Sequence, residues 1–180
     1  MSHPPAVLAN DLVRLRRSTA ADARSVFDAT SSDAVTHFME WSRHTDVSET
    51  EGFFSGCAAR WDSGEEFHWV IEPANERTIA GCITLRVRGS TADFGYFLLP
   101  VFWGKGLALA AASLIVRWAK RQPNIFRICA TTDAENARSI ATLGRSGLAH
   151  EGTLRMATIR PNISTTPRDT AVFGLCRDDF

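Results

Sequence analysis

The chain has 180 residues, which is long enough for one globular domain with a substantial core and too short for two domains of ordinary size. Its 20 Lys and Arg residues balance its 20 Asp and Glu residues, so no overall field favours nucleic acid or a strongly basic partner. The four cysteines are widely spaced and form no Cys-x-x-Cys pair, which argues against a zinc site or a disulfide framework. We therefore expect one domain with four buried free thiols, in a reducing cytoplasm, and no nucleic-acid partner.

The N-terminal segment carries the adjacent prolines Pro4 and Pro5, and we expect residues 1–10 to form a flexible tail before a domain that spans residues 11–180. This segment lacks the charged region and the long apolar region of a signal peptide. No apolar run in the chain approaches the roughly twenty residues of a membrane-spanning helix. These features predict a soluble cytoplasmic protein that does not bind membranes.

The first third of the chain predicts one strand followed by helices. Residues 12–16 alternate between apolar and basic side chains, which is typical of a strand, and a helix follows over residues 20–29. A second short helix is predicted around residues 35–38. The Ser-Glu-Thr-Glu sequence at residues 48–51 is a capping-box pattern, and it predicts a long helix that ends at Gly64.

The middle of the chain predicts an antiparallel hairpin followed by another strand. Residues 67–71 and 78–85 are strand-like and flank a Pro-Ala-Asn-Glu turn, and residues 92–98 supply the next strand. An alanine-rich helix then runs from Gly106 and stops before Pro123, because proline cannot continue a helix.

The last third predicts a strand over residues 125–131, a helix opened by Asn136, and two strands over residues 148–158 and 170–176. This order predicts an α/β domain (mixed α+β) with a central mixed, mostly antiparallel sheet and helices on both sides. Ligands favour the open carboxyl ends of the central strands in such sheets.

The strongest chemical signal is a glycine-rich turn before the alanine-rich helix. The turn comprises Gly104, Lys105, Gly106, Leu107 and Ala108. At a helix start, unpaired backbone N–H groups and the helix dipole attract anions, so the turn predicts a phosphate site. The glycines permit close approach and the lysine adds a positive charge. The spacing alone leaves an ordinary glycine turn equally open.

Two sequence motifs together resemble a known family. The turn reads Trp-Gly-Lys-Gly-Leu-Ala at residues 103–108, and the helix after the next strand opens Asn-Ala-Arg-Ser at residues 136–139. These motifs resemble the GNAT superfamily of acetyl-CoA-dependent N-acetyltransferases, whose loop reads Gln/Arg-x-x-Gly-x-Gly/Ala and whose next helix opens Asn-x-x-Ser or Asn-x-x-Tyr. The resemblance runs from Leu12 to the C-terminus.

Within that superfamily, the chain looks most like the ribosomal-protein N-terminal (alanine/serine) acetyltransferases. The features in common are Trp103, Ser139 and the Asp-Phe-Gly-Tyr strand at residues 93–96. Two departures from that branch are a Leu-Ala pair at residues 109–110 in place of Thr-Glu and a Gly-Arg pair at residues 144–145 in place of Glu-Lys.

The resemblance implies acetyl-CoA as cosubstrate and a sheet that is splayed at the cofactor site, where the pantetheine arm takes the place of a strand. It implies that backbone groups of Phe97, Leu98 and Leu99 bind that arm and that one of their N–H groups stabilises the oxyanion. Alternatively, these three residues have only a structural role, as the edge of a buried strand. Trp103 and the residues 104–108 are expected to bind the pyrophosphate.

The resemblance also suggests roles for three side chains. Asn136 is expected to contact the pantetheine amide, and it can cap its helix at the same time. Ser139 is expected to donate a hydrogen bond to the leaving thiolate, with packing beneath the cofactor as the alternative. Asp93 is expected to take the amine proton through water, unless it is only a solvated charge. Other candidate bases are Glu40, His37, His68 and Glu151.

The acceptor is the least determined feature. An α-amine with a pKa of about 7.7 to 8.0 is partly neutral at physiological pH, whereas a lysine amine near 10.4 is almost fully charged, so a weak base suits the α-amine. We expect an amine acceptor such as a protein N-terminus, and a monomer or homodimer. A small amine or antibiotic stays open as acceptor, as does a non-catalytic acyl-CoA sensor, which the departures at residues 109–110 and at Thr158 would favour.

Overall fold

One mixed sheet organises the chain, and the computed structural model describes residues 3–180. Its strands are β1 (Val7–Ala9), β2 (Val13–Arg17), β3 (Glu66–Pro73), β4 (Gly81–Arg88), β5 (Thr91–Leu98), β6 (Arg127–Asp133), β7 (Ala149–Ile159) and β8 (Pro167–Cys176). The helices are α1 (Ala23–Thr30), α2 (Asp33–Thr36), α3 (Val47–Ser63), α4 (Leu107–Lys120) and α5 (Ala137–Arg145). The spatial order is β1-β2-β3-β4-β5-β6-β8-β7, and only β5 and β6 pair in parallel among the described strands.

The helices cover both faces of the sheet. Helices α4 and α5 contact each other and lie on one face, whereas α1 and α3 pack together on the other. Successive side chains of a strand point to opposite faces of the sheet, so each strand contributes apolar residues to both cores. In β3, Trp69 packs in the larger core around α4, and its neighbour Val70 packs in a smaller core with Phe54 of α3. The predicted fold class, a mixed and mostly antiparallel sheet between helices, is confirmed.

The strands β5 and β6 pair over a short length and then separate. Their parallel ladder joins residues 91–93 to residues 127–129. Beyond it, β5 continues on β4 up to Leu98, and β6 continues on β8 up to Asp133. The sheet is therefore open between the carboxyl ends of two central strands, as the family resemblance implies.

The prediction of a flexible tail over residues 1–10 is wrong where the structure describes a strand. Residues 7–9 form β1, which pairs with β2. Pro4 is buried, and the Pro5 carbonyl accepts a hydrogen bond from Trp69 Nε1 at 3.3 Å. Three residues give too short a pattern to reveal a strand, and the free edge of β2 decides the pairing. Met1 and Ser2, also part of that prediction, lie outside the described residues.

Helix α3 begins two residues earlier than its predicted capping box. Asp46 is the N-cap and accepts from the backbone N–H of Ser48 at 2.8 Å, while Glu49 accepts from the backbone N–H of Asp46 at 3.0 Å. The predicted box at residues 48–51 is thus displaced by two residues, because the Asp46 carboxylate rather than the Ser48 hydroxyl caps the helix. The predicted end at Gly64 is confirmed by its left-handed backbone, with φ of 78°.

The described residues contain no helix that is both long and apolar enough to cross a membrane. Over the same residues, no cluster of His, Cys, Asp and Glu side chains has the arrangement of a metal site. The four cysteines are free thiols, and Cys57 and Cys82 are buried. The expected burial is wrong for Cys129, which is only partly buried, and for Cys176, which is exposed at the end of β8.

Two glycines, one inside α3 and one at its C-cap, should change the free energy of unfolding in opposite directions when replaced by alanine. Gly52 is exposed inside the helix, and a Cβ there meets nothing within 4 Å, so Gly52→Ala should raise the free energy of unfolding by about 0.5–1 kcal/mol. Gly64 holds φ of 78°, so Gly64→Ala should lower it by about 1 kcal/mol. Urea unfolding of both variants checks the pair, and equal changes would contradict the assigned helix end.

Candidate functional site

A groove of about 1390 Å³ passes through the opening between β5 and β6 and reaches both helix layers. On one side it is lined by the start of α4 and by α5, and on the other by residues 38–41 together with His44, which we call the α2–α3 wall. The floor is formed by β5 and β6. The groove is large for a single small molecule, and it has room for two substrates side by side.

The start of α4 has the properties of an anion site. Its N-cap is Gly106, which has no side chain to cap the helix, and no acidic residue lies in the first turn. The first intrahelical bond of this turn runs from Ala110 N to the Gly106 carbonyl at 3.0 Å, so the amides before Ala110 have no acceptor of their own in the helix. Gly104 and Gly106 have φ of 74° and 77°, which glycine adopts at no steric cost. This end of α4 opens into the groove.

Lys105 takes a different position from the other residues of the turn. Its side chain is exposed, and Nζ lies 5.4 Å from the centre of the Phe102 ring. Gly104, Gly106, Leu107 and Ala108 line the groove, and Lys105 stands beside the turn. The structure therefore leaves Lys105 as a nearby charge.

The prediction that Leu99 presents its backbone to the cofactor is wrong. Its N–H donates to the Ala80 carbonyl at 2.8 Å, and its carbonyl accepts from Phe102 N at 2.9 Å. In an antiparallel pair, the backbone N–H and C=O groups of successive residues point to alternate sides of the strand. The backbone groups of Phe97 therefore also point toward β4, whereas those of Tyr96 and Leu98 point into the opening toward β6. Phe97 reaches the groove through its side chain instead.

Within the part of the chain that the structure describes, Leu98 keeps one free backbone group at the opening. Its carbonyl accepts from Trp103 Nε1 at 2.8 Å, which leaves the N–H as the available donor. The Trp103 ring is in turn covered by the Arg138 guanidinium, 4.6 Å from the ring centre. Trp103 thus joins the end of β5 to α5 through a contact with Arg138 that no local sequence pattern predicts.

Helix α5 and strand β5 together place a pair of hydroxyl groups at the groove. Asn136 caps the helix by accepting from Ser139 N at 3.2 Å, so the structural role expected of this asparagine is present. Ser139 Oγ lies 3.2 Å from the Tyr96 hydroxyl of β5. Burial raises the pKa of the Tyr96 phenol above its ordinary value, so it stays protonated and can donate to Ser139. Sequence reasoning missed Tyr96 as a site residue, although it lies in the Asp-Phe-Gly-Tyr sequence.

Asp93 lies where the ladder between β5 and β6 ends, next to Cys129. Arg86 donates through Nε at 2.8 Å and approaches to 2.6 Å through Nη2, and Arg88 lies at 3.9 Å. Tyr96 lies three positions after Asp93, which corresponds to about 10 Å along the strand. Any proton transfer from a group near Tyr96 to this carboxylate therefore needs intervening water.

The other candidate bases are less suited to proton transfer. Two hydrogen bonds from Arg127 lower the pKa of Glu151, which is on β7 and outside the groove lining. Glu40 is ion-paired with Arg160 at 2.9 Å. His37 is exposed and packs on Phe38.

His68 is a buried groove residue whose ring stays neutral. It is 2% exposed and lies against the rings of Phe53 and Phe54, each with centres 5.2 Å away. Burial, with a smaller effect of nearby Arg60, lowers the pKa of the imidazole to about 3. Such a histidine is a poor base at neutral pH.

A sequence model of the acetyltransferase (GNAT) domain matches residues 13–149, which is well over half of the chain. The chain belongs to the GNAT acetyltransferase family. It is an acyltransferase by that membership, and the expected resemblance to the GNAT superfamily is confirmed.

Similar proteins align with nearly the whole chain. The chain is 26% identical over 174 residues to the uncharacterized N-acetyltransferase YoaA of Bacillus subtilis (strain 168), covering 95% of this chain and 97% of YoaA. The structure of RimL, the ribosomal L7/L12 alpha-N-protein acetyltransferase, with coenzyme A is similar with a TM-score of 0.85, 18% identity and coverage of 97% and 99%. Spermidine N-acetyltransferase from Vibrio cholerae, with CoA and spermine, has a TM-score of 0.79, 17% identity and coverage of 94% and 98%. At 18% and 17% identity, the similarity to these two structures shows only that the fold is shared.

The neutral state of His68 should make stability depend on pH. The unfolded chain binds a proton at this imidazole below about pH 6.5, whereas the folded protein does so only near pH 3. The neutral His68 ring therefore makes its full contribution to the free energy of unfolding above about pH 6.5. As the pH falls below that value, the free energy of unfolding decreases by at most about 1.4 kcal/mol per pH unit. His68→Gln should flatten the decline in unfolding free energy between pH 7 and 5.

Urea unfolding at several pH values measures this effect. His150→Gln removes an exposed histidine and should keep the wild-type slope. An unchanged slope in His68→Gln would contradict the assigned neutral state.

Proposed function

We propose that this chain transfers the acetyl group of acetyl-CoA directly to a primary amine, and that the acceptor is the N-terminal α-amine of a peptide or protein. One observation carries the proposal: the uncapped start of α4 and the hydroxyl pair of Ser139 and Tyr96 open into the same groove at the gap between β5 and β6. Acetyl-CoA is the cosubstrate, and RimL and the spermidine enzyme were both solved with CoA.

In this proposal the cofactor follows the opening of the sheet. Its phosphates bind the amides at the start of α4, between Gly104 and Ala108. The pantetheine arm lies along β5, where Tyr96 and Leu98 direct backbone groups into the gap, and Asn136 lies across from them on α5. This path brings the thioester near Ser139. The Ser139 hydroxyl, which lies next to the Tyr96 hydroxyl, can then donate a hydrogen bond to the thioester sulfur.

The reaction needs three groups besides the cofactor. The neutral amine attacks the thioester carbonyl, and a backbone N–H of Leu98 or Tyr96 stabilises the oxyanion. The carbon–sulfur bond then breaks, and Ser139, itself bonded to Tyr96, donates to the leaving thiolate. Asp93 receives the amine proton through water, since Arg86 already holds the carboxylate and the distance along β5 is long.

A weak, water-mediated base supports an α-amine as acceptor. Such an amine is partly neutral at physiological pH, whereas a lysine-like amine needs more help to lose its proton. RimL acts on a protein α-amine by its name, and the spermidine enzyme marks the small-amine alternative. A sensor that binds acyl-CoA without transfer is the third possibility, and the Leu-Ala pair at residues 109–110 favours it. The four free thiols support a cytoplasmic location.

The phosphate site can be tested with two glycines of similar backbone. Gly106→Glu places a carboxylate where phosphates bind and should weaken CoA binding at least about tenfold by charge repulsion. Gly147→Glu is the control, because Gly147 also has positive φ, is exposed and has nothing within 4 Å of a built Cβ, but does not line the groove. Calorimetry of both folded variants decides, and equal CoA affinities would overturn this assignment.

Ser139→Ala should reduce turnover more than acetyl-CoA affinity, because the thiolate charge develops only in the transition state. We expect a loss of about tenfold to a hundredfold in kcat, as for one charge-assisted hydrogen bond. Tyr96→Phe should give a smaller loss by removing the donor to Ser139. Thiol release with peptide N-termini, polyamines and aminoglycosides provides the measurement; unaltered kcat in Ser139→Ala would reduce Ser139 to a packing residue.

A further inference from the structure

Arg160 is a buried cation with unused hydrogen-bond donors at the groove. It follows β7, its side chain is 3% exposed, and it lines the groove. Within residues 3–180, its Nε and Nη2 atoms have no hydrogen-bond partner. A guanidinium carries five N–H donors, and burying them unpaired costs free energy that a bound anion would recover.

The two carboxylates near Arg160 do not satisfy it. Asp133 approaches Nε only to 4.0 Å, and its oxygens already accept from Arg168 at 2.7 and 3.2 Å. Glu40 binds Nη1 at 2.9 Å, but its side chain is 57% exposed and leaves the adjacent Nη2 unpaired. Glu40 is therefore a partner that can be displaced.

Arg160 is held on the side of the groove that faces the α2–α3 wall. Asn162, two residues later, donates to the carbonyls of Thr36 and Trp41 at 2.7 and 2.9 Å and accepts from Arg43 N at 2.8 Å. The Trp41 ring in turn lies 6.2 Å from that of Phe97 on β5. The guanidinium thus sits between the end of β6 and a wall anchored to β5, away from the start of α4 where the phosphates are proposed.

We propose that Arg160 recognises a carboxylate carried by the amine acceptor. The acceptor carboxylate replaces Glu40 on Nη1 and also pairs with Nη2, in the bidentate arrangement that suits a guanidinium. This inference rests on the proposed function, because it names the chemistry of the second substrate of the same groove. The carboxylate can come from an acidic side chain near a peptide N-terminus or from the α-carboxylate of a free amino acid.

Matched acceptors distinguish these sources and separate binding from transfer. The first pair is Ala-Asp-Ala-Ala amide and Ala-Asn-Ala-Ala amide, and the second is alanine and alaninamide. Calorimetry measures the binding of each compound, and thiol release with acetyl-CoA measures its kcat/KM. We expect the acidic member of one pair to bind about tenfold to a hundredfold tighter, as hydrogen bonds between charged groups provide.

Variants then assign the preference to Arg160. Arg160→Gln should reduce the acidic-to-neutral ratio toward one, whereas Arg155→Gln, which alters an exposed arginine of β7 outside the groove lining, should keep it. Glu40→Gln changes an exposed side chain, so it is the decisive variant if Arg160→Gln does not fold. It should raise the ratio several-fold, because it removes the competing carboxylate.

The outcomes are separable. A preference in binding without thiol release would overturn the proposed function and keep the carboxylate site. Equal binding of both members in both pairs by the wild type, with no change in Glu40→Gln, would overturn the carboxylate site whether or not acetyl transfer occurs.

Discussion

The separation of β5 from β6 after three residue pairs is the constraint on which the rest of the site depends. A central strand normally pairs on both edges, and buried backbone groups left without partners are costly. Here Tyr96 and Leu98 direct such groups into a gap that is open to the groove. A ligand with amide groups can form the missing hydrogen bonds of the ladder. Binding such a ligand therefore recovers the free energy that the unpaired backbone groups cost.

The gap also joins two different chemical environments. On the α5 side of β5, Tyr96 and Ser139 form a neutral hydroxyl pair, which suits stabilisation of a developing negative charge. On the α3 side, charged groups line the sheet: Arg60 binds Glu66 at 2.8 Å, and Arg86 binds Asp93. Strand alternation produces this division, because consecutive residues of β5 face opposite helix layers. Cofactor and acceptor can therefore meet from opposite faces of one sheet.

Buried polar groups distinguish the two sides of the gap, namely the α3 side, which we propose as the acceptor side, and the α5 side, which we propose as the cofactor side. The cofactor side consists mainly of backbone amides and small residues, whose arrangement suits any ligand with phosphates. The α3 side holds a neutral imidazole at His68 and an incompletely paired guanidinium at Arg160. Because such groups are costly to bury, they restrict which acceptors gain free energy on binding. Specificity for the amine is expected to depend on them.

The sequence by itself determined the order of strands and helices after β1 and the glycine-rich start of α4, since both arise from local periodicity and backbone freedom. It also placed Ser139 and Asn136 together, one helical turn apart. Tertiary structure decided which backbone groups of β5 are free, because Leu99 is engaged by Ala80 across the sheet. It likewise brought Arg160 to the groove through contacts over more than a hundred residues, such as that with Glu40. Pairing across strands and loops leaves no local pattern, so these features could not be read from the sequence.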